Sequence, residues 1–326
     1  MTAPRFGFFF WPYEPALVAR MIGLGEAHGW DLIGIADTPG NAMDVWVALA
    51  QAATLSTRVR LASCVTNLTT RDPAITAGAA ASVNRLSGGR FDLGVGAGHS
   101  GVVNVGHRPA APAALRAGLA RLRTLLEGDG GGARVPVYAA ASGPGALRAA
   151  GAAADGAFVN HGLGFGETSR ARVLLAEGAE QAGRAGAALD TWFIACLDVS
   201  ERRETALEQL GNILGFVAAY VLGPAPAERG VPAELVPAVV ELRRQYTTRR
   251  REMDPALVRR LGLFDYLRRR LAVAGTPEEC AEQTRAALAA GASNLMFTVS
   301  LAADPVRTVE LFGGDVLPRL RRPTGP

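Results

Sequence analysis

Short apolar runs alternate with amphipathic stretches along most of the chain. Residues 5–10 read as a strand and 16–28 as a helix, together one βα unit. Strand 31–36 with helix 43–55 repeats the unit, as does strand 59–65 with helix 74–86, which begins after Asp72-Pro73, where proline ends the preceding conformation. Strands at 91–95, 135–139, 156–160 and 191–199 follow, separated by helices at 112–127, 145–153 and 167–187. The alternation then breaks into mostly helical residues from about 200 to 272. It resumes at Thr276-Pro277-Glu278-Glu279, a capping box with proline in the first turn, which opens a helix over 278–290; a strand at 294–299 and a helix at 305–320 close the chain. Strands joined through helices require right-handed crossovers and a parallel sheet. Eight such units within the span of one domain, residues 1–326, predict an α/β fold of the (β/α)8 TIM-barrel type with a helical insertion after the seventh strand. A doubly wound open sheet is the competing arrangement. The glycine-rich stretch 128–132 reads as a loop, since the alternation is unchanged on either side.

Composition narrows the chemistry. Of the 326 residues 49% are hydrophobic and 20% charged, enough to bury a large core, and the formal net charge is only +4. The 34 basic residues are all arginine. Without lysine there is no P-loop phosphate lysine, no pyridoxal Schiff base and no lysine aldolase. Cys64, Cys196 and Cys280 stand far apart with no CxxC pair, which argues against a disulfide framework and a metal site and for a reducing compartment. The first residues lack a signal-peptide pattern, and the longest apolar run, 213–222, is about half of what a bilayer span needs, so a cytoplasmic protein without membrane contact is expected. The arginine clusters at 243–244, 249–251 and 268–270 lie at helical spacing among leucine and glutamate, which favours solvated faces over nucleic-acid binding and leaves a small molecule as the expected partner.

In a barrel the active site is assembled from the loops after the strands. Three features stand there. Ser142-Gly143-Pro144-Gly145 follows the fifth strand and opens a helix, so its bare amides suit a phosphate, although a glycine-proline turn needs no ligand. Glycines 94, 96 and 98 run up to His99 after the fourth strand and would let a planar ligand approach the backbone; counted from Gly94, the third glycine of a GxGxxG fingerprint is replaced by His99, so that register does not carry the dinucleotide reading. His99 is a candidate proton donor or polar contact, or a histidine held by its own loop. Asp37 ends the second strand, either facing the mouth or capping its turn. His161 follows the sixth strand beside the phosphate turn. Trp11, Tyr13, Glu14 and Trp46 are candidate substrate contacts, with Glu14 also a candidate catalytic carboxylate. No histidines show metal-ligand spacing and there is no GxSxG elbow.

The stretch 86–98, Leu-Ser-Gly-Gly-Arg-Phe-Asp-Leu-Gly-Val-Gly-Ala-Gly, with Val65-Thr66-Asn67 and Arg71-Asp72-Pro73-Ala74 before it, resembles the bacterial luciferase-like family of flavin and deazaflavin oxidoreductases. The resemblance continues through Ala140-Ala141-Ser142-Gly143-Pro144, Ala154-Asp155-Gly156-Ala157, and Gly275-Thr276-Pro277-Glu278-Glu279 with Ala290-Gly291-Ala292. It implies a barrel binding coenzyme F420, or alternatively FMN, at its mouth, and the layout is most similar to the methylenetetrahydromethanopterin reductase-like branch, in which hydride passes to or from the deazaflavin. By the same resemblance Asp37 lies near the ring with Thr66, and a non-prolyl cis peptide at Ser63-Cys64 supports it. Ala97, Gly98 and His99 line the ring, while Ser142, Gly143, Pro144, Asn160, His161 and Gly162 surround the cofactor phosphate. The sugar-phosphate dehydrogenases of the family carry histidine after the aspartate, glutamate in the glycine loop and lysine phosphate ligands; Thr38, His99 and the absence of lysine depart from that pattern. The resemblance therefore implies a reductase acting on a C=C or C=N bond of a small molecule, as a homodimer. An FMN-dependent monooxygenase using oxygen, or a barrel without chemistry, are the rival readings. In the first reading His99 protonates the substrate, which requires a pKa near working pH.

Overall fold

The computed structural model describes residues 3–127, 133–186, 189–208 and 210–321, so the loop expected at 128–132 and the last residue of the helix expected to end at 187 lie outside the described residues. The strands among them are β1 (Phe6–Phe10), β2 (Leu32–Ile35), β3 (Arg60–Ser63), β4 (Thr66–Asn67), β5 (Phe91–Gly96), β6 (Val137–Ala141), β7 (Gly156–Val159), β8 (Asp190–Val199), β9 (Ala272–Gly275) and β10 (Asn294–Thr298). They pair in parallel in the order β10-β1-β2-β3-β5-β6-β7-β8, and β8 pairs back onto β10 to close the ring. The expected eight-stranded barrel is therefore present, and the open sheet is excluded.

Two short strands lie outside that ring. β4 continues the line of β3 and pairs with β5 through Thr66 opposite Val95. β9, Ala-Val-Ala-Gly, falls at the end of the stretch expected to be helical. It forms because β8 is ten residues long: its first part pairs with β7 and β10, and its far part, Cys196 to Val199, is left with an open edge that residues 272–275 cover. The closing helix is likewise interrupted: Pro305–Leu311 and Leu317–Arg321 are α-helical, with a π-helical turn at Phe312–Val316 between them.

Parallel strands buried on both faces read as nearly continuous apolar runs, which is why the pattern was visible in sequence. One face of each strand packs outward under the helices: Phe8, Ile33, Leu61, Phe91, Val137, Phe193 and Phe297 share a cluster with Val18, Met21, Leu49 and Ala80. The alternate positions fill the barrel, where Leu32, Tyr138, Phe158, Trp192 and Met296 interlock. Their N-terminal ends are closed by charge. Arg60 grips Asp92, and Asp190 accepts from Arg5, from Tyr138 Oη at 2.6 Å and from Trp192 Nε1 at 3.1 Å. That end is plugged, so a ligand enters from the other.

Residues after β8 build the helical insertion, chiefly Leu210–Val221, Val236–Gln245 and Phe264–Leu271. Leu214, Val217, Leu222, Leu242 and Leu267 form a second apolar cluster that includes Trp11, Ala36 and Cys196 at the strand ends. The insertion thus covers the barrel mouth.

Candidate functional site

Because all strands run the same way, Asp37, Thr66, Ala97, Ser142, Asn160 and Ser300 all follow C-terminal strand ends on one side. Asp37 does not cap its turn. Its Oδ2 accepts from the Thr66 hydroxyl at 2.7 Å, joining the loops after β2 and β3, while Oδ1 takes no hydrogen bond among the described residues. Burial pushes the Asp37 carboxyl upward; Thr66 opposes that, Asp44 adds to it and Arg71 opposes it.

The non-prolyl cis peptide is Cys64-Val65, one residue later than Ser63-Cys64. The Ser63 side chain turns to the neighbouring strand. Its hydroxyl donates to the Gly94 carbonyl at 2.9 Å and accepts the Gly94 N–H at 3.0 Å, which spends both of its roles on clamping β3 to β5. Cys64 is buried beside it, and burial pushes its thiol up.

Past β5 the chain turns at Gly98, where φ is +83° and an added Cβ would lie 2.5 Å from Val102, so glycine is required on two counts. The turn presents His99. Its imidazole lies among three aromatic rings from the insertion, Phe216, Tyr220 and Tyr246, with Tyr220 at 4.5 Å between centroids and Tyr246 parallel within 9°. Nε2 is hydrogen-bonded to the Tyr246 hydroxyl, while Nδ1 is buried without a partner. Burial, reinforced by Arg243, lowers the pKa of His99 to about 3. Burial thus works against the imidazolium form that a proton donor titrating near working pH needs. Glu14 stands exposed at the N-cap of helix Pro15–His28 without a side-chain bond to it.

One loop further round, the helix Pro144–Ala153 starts at Gly143 with no capping side chain. The guanidinium of Arg229, from the insertion, lies over this glycine so closely that an added Cβ would fall 2.2 Å from Nη2. Arg270, 6% exposed, spans the same region, donating to the carbonyls of Gly230 and His161. His161 donates from Nδ1 to the Ser142 carbonyl at 2.9 Å, and burial lowers its pKa. Nε of both Arg229 and Arg270 lacks a hydrogen-bond partner, and burial lowers the Arg229 pKa, with Arg170, Arg270 and Arg243 adding to the effect. Glu167 stands 3.6 Å from Arg270 Nε and Glu228 favours the charged Arg229, but the positive side is in excess. Helix-start amides beside cations that outnumber the neighbouring carboxylates make an anion cradle. Asn160 sits between cradle and His99, its Nδ2 donating to Tyr220 at 2.9 Å and its Oδ1 unpartnered, with Gly162 at φ +125° in the loop that follows.

The luciferase-like monooxygenase family matches residues 13–129 and 120–294. The chain belongs to that family. Among luciferase-like relatives, the 5,10-methylenetetrahydromethanopterin reductase of Methanolobus tindarius is 26% identical over 96% of this chain and 99% of its own. The F420-dependent glucose-6-phosphate dehydrogenase 1 of Rhodococcus jostii is 28% identical over 95% of each. The coenzyme F420 dependent tetrahydromethanopterin reductase of Methanopyrus kandleri shares the fold with a TM-score of 0.75 at 23% identity, over 98% of this chain and all of that one.

Phe216, Tyr220, Tyr246 and Arg229 escaped the sequence reading, and Arg270, expected on a solvated face with its cluster, is buried instead. One signal was available: three of the five tyrosines, at 220, 246 and 266, fall in the insertion.

Proposed function

We propose that this luciferase-like oxidoreductase is a coenzyme F420-dependent reductase acting on a C=C or C=N bond of a small organic molecule. The observation that carries the reading is the anion cradle at Gly143 one loop away from a mouth lined by aromatic rings, since a deazaflavin joins a flat ring to a phosphate. End-to-end similarity to proteins named for that coenzyme favours it over FMN. The residues fit the group: Arg229, Arg270, Ser142, Gly143 and Pro144 would hold the phosphate, and Asn160, His161 and Gly162 the link to the ring. Ala97, Gly98, Thr66 and Asp37 would border the ring. When bound, the cofactor supplies the hydride.

The chain's own task is the proton. Neutral His99 does not provide it as an imidazolium. The Asp37 carboxyl, raised by burial and with Oδ1 unengaged, is the group at the mouth suited to hold a proton for the substrate. The test is a binding titration of the purified protein with coenzyme F420 and with FMN. Saturable F420 binding, weak FMN binding and a loss of F420 affinity of about tenfold or more in Arg229→Ala are expected, as for removal of one charge-assisted contact. Binding of FMN alone overturns the reading in favour of oxygen-dependent flavin chemistry.

A further inference from the structure

The insertion does more than roof the mouth. Residues 246–250 run across it as a strap tied to three separate loops. Asn41, after β2, donates from Nδ2 to the Thr248 carbonyl at 2.7 Å and accepts the Arg250 N–H at 3.1 Å. Asn104, after β5, accepts from the Thr248 hydroxyl at 2.6 Å and donates to the Pro39 carbonyl at 2.8 Å, so the two pins brace each other. Beyond them the Arg250 guanidinium lies 4.1 Å over the ring of Tyr13, whose hydroxyl donates to the Ser300 carbonyl at 2.9 Å. The strap begins at Tyr246, which is hydrogen-bonded to His99 Nε2 and parallel to its ring.

We infer that Tyr246 is the specificity-determining residue of this site: its phenol occupies the place on His99 that a substrate takes, and the Asn41 and Asn104 pins hold it there until a competing ligand displaces it. The stand-in is a flat unsaturated ring with one oxygen at its edge. The molecule that replaces it must match both features, planarity to lie among His99, Phe216 and Tyr220, and an oxygen to reach Nε2. The inference deepens the proposed reductase reading and rests on it for the word substrate; the gate itself does not depend on which cofactor binds.

The chain contains its own controls for a test without cofactor. Diethyl pyrocarbonate acylates unprotonated imidazole, and peptide mass mapping follows each histidine separately. His107 is exposed and His161 is 1% exposed, which sets the fast and slow limits. In the wild-type protein His99 should react at least about tenfold more slowly than His107, because reagent must wait for local opening. Tyr246→Ala, and independently the double variant Asn41→Ala/Asn104→Ala, should bring His99 close to the His107 rate while His161 stays inert, which also reports an intact fold. A wild-type His99 as fast as His107, or a His99 rate unchanged in both variants, overturns the gate. A titration of Tyr246→Ala with coenzyme F420 completes the assignment: unchanged affinity is expected, and lost affinity transfers Tyr246 to the cofactor. Failure of the wild-type chain to bind F420 sinks the reductase reading but leaves the histidine comparison decisive for the gate.

Discussion

Burial disfavours the charged form of two side chains at the mouth, raising the Asp37 carboxyl and lowering the His99 imidazole to about 3. A protonated Asp37 donates a proton; a neutral His99 offers only a hydrogen bond. Activity should therefore fall as pH rises through the Asp37 pKa. In Asp37→Asn that limb should vanish and the low-pH rate drop about 10²-fold, the usual worth of a general acid. Thr66→Val removes the bond that favours the carboxylate, so it should move the limb to higher pH. A limb that persists in Asp37→Asn belongs to another group. The positions of both residues were legible in the sequence because each directly follows a strand. The state of His99 was not, since it is set by Phe216, Tyr220 and Tyr246, more than a hundred residues further along the chain.

Strand β8 shows what an element's length decides. Its far part carries Asp198, 1% exposed, whose carboxylate accepts from Ala303 N–H at 2.9 Å and from the Thr308 hydroxyl at 3.4 Å, tying the loop after β10 to the barrel. Burial pushes this carboxyl from 3.8 to about 7, with Asp304 adding to the rise. A folded-state pKa above the unfolded one means the fold prefers the protonated form. The contribution is complete below about pH 4 and is lost as pH rises through about 7. Asp198→Asn should accordingly be the more stable protein at about pH 8, by on the order of 2–4 kcal/mol, and the two should differ least at the acid end; denaturant unfolding at several pH values measures this. A variant less stable at both ends would show that the carboxylate is needed charged. The same strand marks the limit of sequence reading. β8 itself was plain as an apolar run, whereas β9, Ala-Val-Ala-Gly, has no periodicity of its own and becomes a strand only because β8 leaves it an edge.

For the whole molecule, alternation gave away the barrel, since every βα unit must bury its strand on two faces. It did not place the insertion, whose helices present apolar stripes that would suit any covered surface; contacts such as Trp11 against Phe216 at 5.5 Å put them over the mouth. That placement concentrates charge. The net charge is only +4, and many arginines are paired on the surface, as Arg148 is with Glu177 and Arg319 with Glu278. At Gly143 the insertion brings Arg229 and Arg270 together, with Arg170 and Arg243 near enough to act on Arg229 and only Glu167 and Glu228 opposing them. Neighbouring cations at a helix start favour an anionic ligand, so its affinity, and with it the stabilisation it gives, should depend on salt. Mass action alone gives about 2.7 kcal/mol at a hundredfold excess over Kd, roughly 4 °C in melting temperature for a chain of this size. With coenzyme F420 the shift should have that size at low ionic strength. It should shrink as sodium chloride screens the cradle, and shrink at every salt concentration in Arg229→Ala. A shift indifferent to both salt and Arg229 would mean that the ring alone holds the ligand and that the cradle binds nothing.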